Sequence, residues 1–171
     1  MSDEQLYLYY YSKQSDQADE MDILLDSLGY NVEKINLDND NSDEKLVKDI
    51  TGGDLKYLPL LRVGGSKIRA TFFKPSEKLL EILFDSESTN TISLPKPTVY
   101  TSTWCSNCHM VKMVFEDREI SYKEINIETK ESMAEKLMLW SGGRRVVPTV
   151  EYKNIGRLFN PDSELMNRLY E

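Results

Sequence analysis

The two cysteines of this 171-residue chain lie in the stretch Trp104-Cys105-Ser106-Asn107-Cys108. A β-rich segment, residues 97–102, precedes this stretch behind a proline, and in residues 109–115 after it apolar residues repeat at helical spacing. The cysteines are therefore predicted where a strand turns into a helix. The first amides of a helix are unpaired and carry the positive end of its dipole, which stabilises a thiolate. Cys105 is predicted to be the exposed nucleophile, and Cys108 the partly buried second thiol.

More than one chemistry uses two cysteines at this spacing. Near alternating strands and helices it is typical of a dithiol redox site, whose first cysteine has a pKa of about 3.5 to 7.5. Cys105, Cys108 and His109 also spell the CxxCH of covalent haem attachment, but no export signal is recognised and β-rich neighbours do not suit a small helical cytochrome. A zinc site needs four ligands, which the single histidine cannot complete without a second chain. An inert disulfide, or simple packing of the two thiols, is the remaining interpretation.

Charge and hydropathy narrow the range of partners and compartments. The net charge of −8 and the pI near 4.8 argue against nucleic acid, whose binders need clustered lysine and arginine. The acidic start of the chain has no signal-peptide pattern, and no apolar run approaches the roughly 20 residues that cross a bilayer. A cytoplasmic location away from membranes is expected, and in a reducing cytosol a cysteine pair is more often catalytic than structural.

Apolar periodicity predicts the same order of elements, βαβαββα, in two segments of the chain. The first unit spans residues 1–85 and includes a hairpin turn at Gly64-Gly65. A polar, threonine-rich stretch with two prolines, residues 86–96 and the following Pro97, is expected to link the units. The second unit, residues 97–171, contains both cysteines.

A shift of 90 positions supports an internal repeat, because it places residues 34–38 on residues 124–128 without a gap. At a slightly smaller offset, Phe73-Lys74-Pro75 falls on Phe159-Asn160-Pro161. The same comparison places Ser15 and Ala18 opposite the two cysteines. The first unit is therefore expected to be a degenerate copy without dithiol chemistry.

The CxxC stretch, together with Val147-Pro148-Thr149 about forty residues later, makes the C-terminal unit resemble the glutaredoxins of the thioredoxin-like superfamily. The resemblance implies an α/β fold of two tandem thioredoxin-like units, each with a central mixed four-stranded sheet. It also implies a cis peptide before Pro148, close to the cysteines, with the backbone of Val147 pairing with the substrate. An ordinary edge-strand proline is the alternative interpretation.

The same resemblance suggests further substrate-binding residues. Arg144 is expected to pair with a substrate carboxylate, unless it is a solvated surface arginine. Trp104 has polar neighbours and immediately precedes Cys105, so it is expected to form a wall of the redox site, with a core position as the alternative. Residues 158–163, which come after the strand that follows Pro148, depart from the glycine-rich turn of glutaredoxins and are closer to those of mycoredoxins. Asp162 and Ser163 are expected to cap the last helix or to offer amides to an anion.

The function implied by this resemblance is that of a thiol–disulfide oxidoreductase. No bound cofactor or metal is expected. Glutathione or another low-molecular-weight thiol is the expected co-substrate, and the partners are a disulfide-containing client protein or a mixed disulfide, with a thiol or a thioredoxin-reductase-type enzyme as reductant. A non-catalytic adaptor, or a module whose CxxC holds a metal or iron–sulfur cluster between two chains, is the alternative function. The first unit is expected to serve in recognition or dimer formation.

Overall fold

Eight strands form one mixed sheet in the computed structural model, which describes residues 4–171. Residues 1–3, the start of the predicted first unit, lie outside the described residues. The strands are β1 (Leu6–Tyr10), β2 (Val32–Asn36), β3 (Leu60–Val63), β4 (Ala70–Phe73), β5 (Thr98–Thr101), β6 (Lys123–Asn126), β7 (Thr149–Tyr152) and β8 (Gly156–Phe159). The helices are α1 (Ser15–Ser27), α2 (Glu44–Thr51), α3 (Glu77–Phe84), α4 (Ser106–Asp117), α5 (Glu131–Trp140) and α6 (Ser163–Arg168). Their order along the chain is the predicted one.

The sheet joins the two halves of the chain edge to edge. Its strand order is β2-β1-β3-β4-β8-β7-β5-β6, so each half contributes four neighbouring strands. Within each half the pair at the outer edge of the sheet is parallel, namely β1 with β2 and β5 with β6. The other neighbouring strands of each half are antiparallel. The halves meet where β4 and β8 pair antiparallel, with Thr71 opposite Arg157. A four-stranded sheet in each unit was the expectation, and nothing in the sequence predicts that they join.

Within residues 4–171, six α-helices cover the two faces of this sheet. Buried side chains of α1, α3, α4 and α6 share one apolar cluster, which contains residues of both halves. On the opposite face α2 and α5 pack over separate clusters, and Trp140 lies against both of them. Because side chains alternate along a strand, Leu8 belongs to the first cluster and Tyr9 to the second. The core therefore runs across the boundary between the halves.

Two connections predicted from the sequence, the Gly64-Gly65 turn and residues 86–96, have no regular secondary structure. The turn predicted at Gly64-Gly65 is longer than expected, because β4 begins only at Ala70 and residues 64–69 form a loop. In this loop the amide of Arg69 donates to the Val63 carbonyl at 2.7 Å, and Ile68 turns into the core with 3% of its surface exposed. The predicted linker, residues 86–96, lies in a stretch without helix or strand.

Within residues 4–171, no helix is both long enough and apolar enough to pass through a membrane.

Candidate redox site

Both cysteines lie at the start of α4, just after β5. Cys105 is the N-cap residue of this 12-residue helix, and its Sγ accepts a hydrogen bond of 3.1 Å from the amide of Cys108. The two side chains form a disulfide. Cys105 is partly exposed, whereas Cys108 is 2% exposed, because it lies one turn into the helix on its inner face. Cys105 is therefore the more accessible of the two cysteines from solvent.

Trp104 precedes the disulfide and lies almost entirely in solvent, with 90% of its surface exposed. The neighbouring amide of Thr103 donates to Glu128 Oε2 at 2.7 Å, which ties the segment before α4 to the turn that follows β6. Hydrogen bonds from Thr103 hold the pKa of Glu128 below its usual value. Trp104 is thus no core residue, and its indole is presented to solvent on an anchored backbone.

The segment leading into β7 carries three of the predicted binding residues. The Val147-Pro148 peptide is cis, as expected from the resemblance. Val147 is half-buried against the cluster under α5, and Pro148 is buried. Thr149 is fully buried, and its hydroxyl donates to the Val146 carbonyl at 2.8 Å. The Thr149 side chain is therefore occupied inside the protein and leaves no surface to a ligand.

An asparagine pair, not predicted from the sequence, connects the CxxC helix to the segment before α6. Asn107 Nδ2 donates to Asn160 Oδ1 at 2.6 Å and to the Pro161 carbonyl at 3.4 Å. The amide of Asn160 in turn donates to the Pro148 carbonyl at 2.7 Å. Asn160 has a left-handed backbone with φ of +51°, which asparagine tolerates better than most residues. The residue pattern Asn-Pro was the available signal for this turn, but no local pattern indicates its partner.

Replacing Asn107 with alanine is expected to lower the rate of disulfide reduction about five-fold, because the first turn of α4 loses its connection to Asn160. The free energy of unfolding should fall by only about 1 kcal/mol, because the bond to Asn160 is exposed and the bond to the Pro161 carbonyl is long. Steady-state reduction assays and urea unfolding measure the two effects. Ser106→Ala is the matched control, since Ser106 is exposed and makes no side-chain hydrogen bond within residues 4–171. Equal rates for both variants would contradict the expectation.

The remaining predicted residues lie on two other segments. Asp162 caps α6, since its Oδ1 accepts from the amide of Leu165 at 2.8 Å, and Ser163 is the exposed first residue of that helix. Arg144 turns toward the N-terminal half, where its Nη2 donates to the Ile68 carbonyl at 3.2 Å. Its neighbour Arg145 pairs with Glu131 instead.

The fold and the cysteine pair define a class, the α/β proteins with a CxxC at the start of a helix. Comparison with known proteins identifies the family. The sequence model of the family described as Glutaredoxin matches residues 98–154. Two proteins described as glutaredoxins, from Mycobacterium tuberculosis strains CDC 1551 and H37Rv, are each 36% identical to this chain over 67 residues. The match covers 39% of this chain and 80% of either relative. The chain belongs to the glutaredoxin family.

Proposed function

We propose that this chain is a thiol–disulfide oxidoreductase that reduces protein disulfides or mixed disulfides with a low-molecular-weight thiol. One observation carries the proposal: a partly exposed Cys105 caps α4 and is joined to the buried Cys108. The amide of Cys108, which donates to Cys105 Sγ, is placed to stabilise a thiolate there once the disulfide is reduced. The family membership supports the same chemistry.

In the proposed reaction, the Cys105 thiolate attacks one sulfur of a substrate disulfide. The substrate S–S bond breaks, and its other sulfur leaves as a thiolate that takes a proton from solvent. Cys108 then loses its proton and attacks Cys105 Sγ, which breaks the mixed disulfide and releases the second substrate thiol. Two electrons have passed from the dithiol to the substrate. The chain is left with the Cys105–Cys108 disulfide seen in the structure.

Regeneration of the dithiol takes two electrons from a reductant. We propose glutathione or another low-molecular-weight thiol, or a reductase of the thioredoxin-reductase type, acting in the cytoplasm. Glutaredoxins have reduction potentials of about −200 to −230 mV, within the range that a cytosolic thiol pool can reduce.

The substrate is proposed to lie between Trp104 and the Val147-Pro148 segment. The exposed indole offers an apolar surface beside the nucleophile, and the Val147 backbone offers hydrogen-bonding groups. Asp162 and Ser163 are proposed to offer their backbone amides, at the exposed start of α6, to an anionic part of the substrate.

Residues 1–85 are proposed to be a degenerate copy of the C-terminal unit. The two halves share their order of elements and their strand order. Lys74 and Asn160, aligned by sequence, both have left-handed backbones, with φ of +43° and +51°. The amide of Lys74 donates to the Pro59 carbonyl at 2.8 Å, as that of Asn160 does to Pro148 at 2.7 Å. An equivalent hydrogen bond at equivalent positions supports a common origin better than element order alone.

The proposal is tested with the wild-type protein on two substrates, a peptide–glutathione mixed disulfide and insulin. Catalytic reduction of the mixed disulfide is expected. The proposal would be refuted if the protein reduced neither the mixed disulfide nor insulin. The visible absorption spectrum of freshly purified protein is recorded first. A plain dithiol is colourless above the ultraviolet, whereas a cluster-holding adaptor absorbs visible light.

A further inference from the structure

The N-terminal half contacts the loop that leads into the proposed substrate-binding strand. This α5–β7 loop comprises residues 141–148 and ends at Val147-Pro148. We infer that the cysteine-less half is a working part of the redox site, because Ile68 holds the α5–β7 loop in position through Gly142 and Arg144. The inference rests on the proposed function and assigns to the first unit a task within the same site.

The first contact is made by the Arg144 guanidinium. Its Nη2 donates to the Ile68 carbonyl, 76 positions earlier in the chain, at 3.2 Å. Its Nε is buried and has no hydrogen-bond partner within residues 4–171. Burying a guanidinium nitrogen without a hydrogen-bond partner costs free energy, because the nitrogen loses its hydration. The Arg144 side chain therefore stays here because the surrounding packing holds it. The Ser141 hydroxyl also bonds to both the amide and the carbonyl of Arg144, which fixes the backbone that carries this side chain.

The second contact is apolar and surrounds Gly142. A Cβ built on this glycine would lie 3.3 Å from Ile68 Cδ1 and 3.9 Å from Leu46 Cδ1, both in the N-terminal half. Gly142 also has φ of +73°, which favours glycine. Val146 packs against the apolar cluster that contains Ile68. The α5–β7 loop thus rests on the N-terminal half near both of its ends.

From this loop, hydrogen bonds continue to the cysteines. The Pro148 carbonyl accepts from the amide of Asn160 at 2.7 Å. Asn160 Oδ1 accepts from Asn107 Nδ2 at 2.6 Å, and Asn107 lies between the two cysteines. The loop is therefore held from one side by Ile68 and from the other by the CxxC helix. The separation between Val147 and Cys105 depends on both supports.

This arrangement gives Arg144 a positioning role, which differs in its consequences from pairing with a substrate carboxylate. An arginine that binds a carboxylate matters only for substrates that carry one. An arginine that positions the loop affects every disulfide reduced at Cys105. Ile68 is 3% exposed and cannot bind a substrate itself. Only the positioning role therefore predicts that truncating Ile68 also slows the reduction of every disulfide substrate.

Two variants remove the two contacts separately. Arg144→Met removes the donor and keeps the length of the side chain. Ile68→Val removes only Cδ1, the atom nearest to Gly142, and is mild enough to preserve the fold. Their controls are Arg145→Met, whose guanidinium pairs with Glu131 instead, and Ile82→Val, the same truncation in the cluster on the opposite face of the sheet.

Each variant is assayed on two substrates, which are mixed disulfides of the same peptide with different thiols. In one the thiol is glutathione, which carries two carboxylates, and in the other it is 2-mercaptoethanol, which carries none. We expect Arg144→Met and Ile68→Val to lower kcat/KM about five-fold on both substrates. Arg144→Lys, which keeps a donor, should retain most of the activity, and both control variants should match wild type. Unfolding midpoints are measured to show that Ile68→Val and Ile82→Val are equally folded. A loss confined to the glutathione substrate, or full activity of Ile68→Val, would overturn the inference.

A second measurement separates this inference from the proposed function. Amide hydrogen exchange of residues 142–147 should be faster in Arg144→Met and Ile68→Val than in the two control variants. If wild type reduced neither substrate, the proposed function would fail, and the exchange rates would decide the inference alone. Unchanged exchange in both variants would then refute it.

Discussion

Replacing Cys105 with serine should abolish reduction of the peptide–glutathione mixed disulfide and of insulin. The rate on each substrate is expected to fall at least about a thousand-fold. The attacking group is a thiolate, and a serine hydroxyl at the same N-cap position stays protonated at neutral pH and is a poor nucleophile toward sulfur. The fold should tolerate the change, because serine is itself a favoured N-cap residue and can accept from the amide of Cys108. Peptide–glutathione and insulin reduction, followed side by side, measure the effect.

Cys108→Ser is the companion to this experiment, because the two cysteines differ in exposure and in proposed role. Cys108 is 2% exposed and is proposed to act only in the second step, when it resolves the mixed disulfide. This variant is expected to keep activity on the mixed disulfide, where free glutathione resolves the intermediate, and to lose insulin reduction. If both cysteines were needed for insulin and neither variant reduced the mixed disulfide, the protein would act as a thioredoxin-like reductant. Full activity of Cys105→Ser would contradict the assignment of the nucleophile.

The second large effect is expected at the junction of the two halves. Gly156 begins β8, opposite Phe72 of β4. A Cβ on Gly156 would lie 2.2 Å from the Thr71 carbonyl oxygen and 3.1 Å from Phe72 Cα, and both are backbone atoms of the paired strand. The strands would have to separate to make room for a methyl group. Gly156→Ala should therefore lower the free energy of unfolding by about 3 kcal/mol, at the upper end of overpacking effects.

Gly65→Ala is the matched control for this prediction. Its Cβ would meet the Gln5 side-chain oxygen at 2.3 Å, but that atom ends a flexible side chain and can move away. Neither glycine has a left-handed backbone, so the two changes differ mainly in what surrounds the methyl group. Urea unfolding followed by circular dichroism measures both variants. A Gly156→Ala protein as stable as Gly65→Ala would mean that β4 and β8 do not pair in solution as they do here.

Local patterns in the sequence were enough to predict the elements and their order. Strand and helix periodicities depend on residues a few positions apart, so each element can be recognised without knowledge of its neighbours. The same holds for Cys105 at the start of a helix and for the Asp162 cap, whose partner Leu165 is three residues away. The glutaredoxin family was also evident from short motifs, CxxC and Val147-Pro148-Thr149.

Contacts between distant residues were decided by the tertiary structure alone. Asn107 and Asn160 are 53 positions apart, and Arg144 and Ile68 are 76 apart. Pairing of β4 with β8 likewise joins segments that carry no signal for each other, because any exposed strand edge offers the same backbone donors and acceptors. The sequence allowed two interpretations of Arg144, a substrate ligand or a solvated side chain. In the structure its guanidinium donates to the Ile68 carbonyl, which neither interpretation predicted. The family, the order of elements and the position of the cysteines could all be predicted before folding was considered, since these depend on short-range patterns. Only the folded chain decided how the cysteine-less half meets the redox site, since that depends on which surfaces the packing brings together.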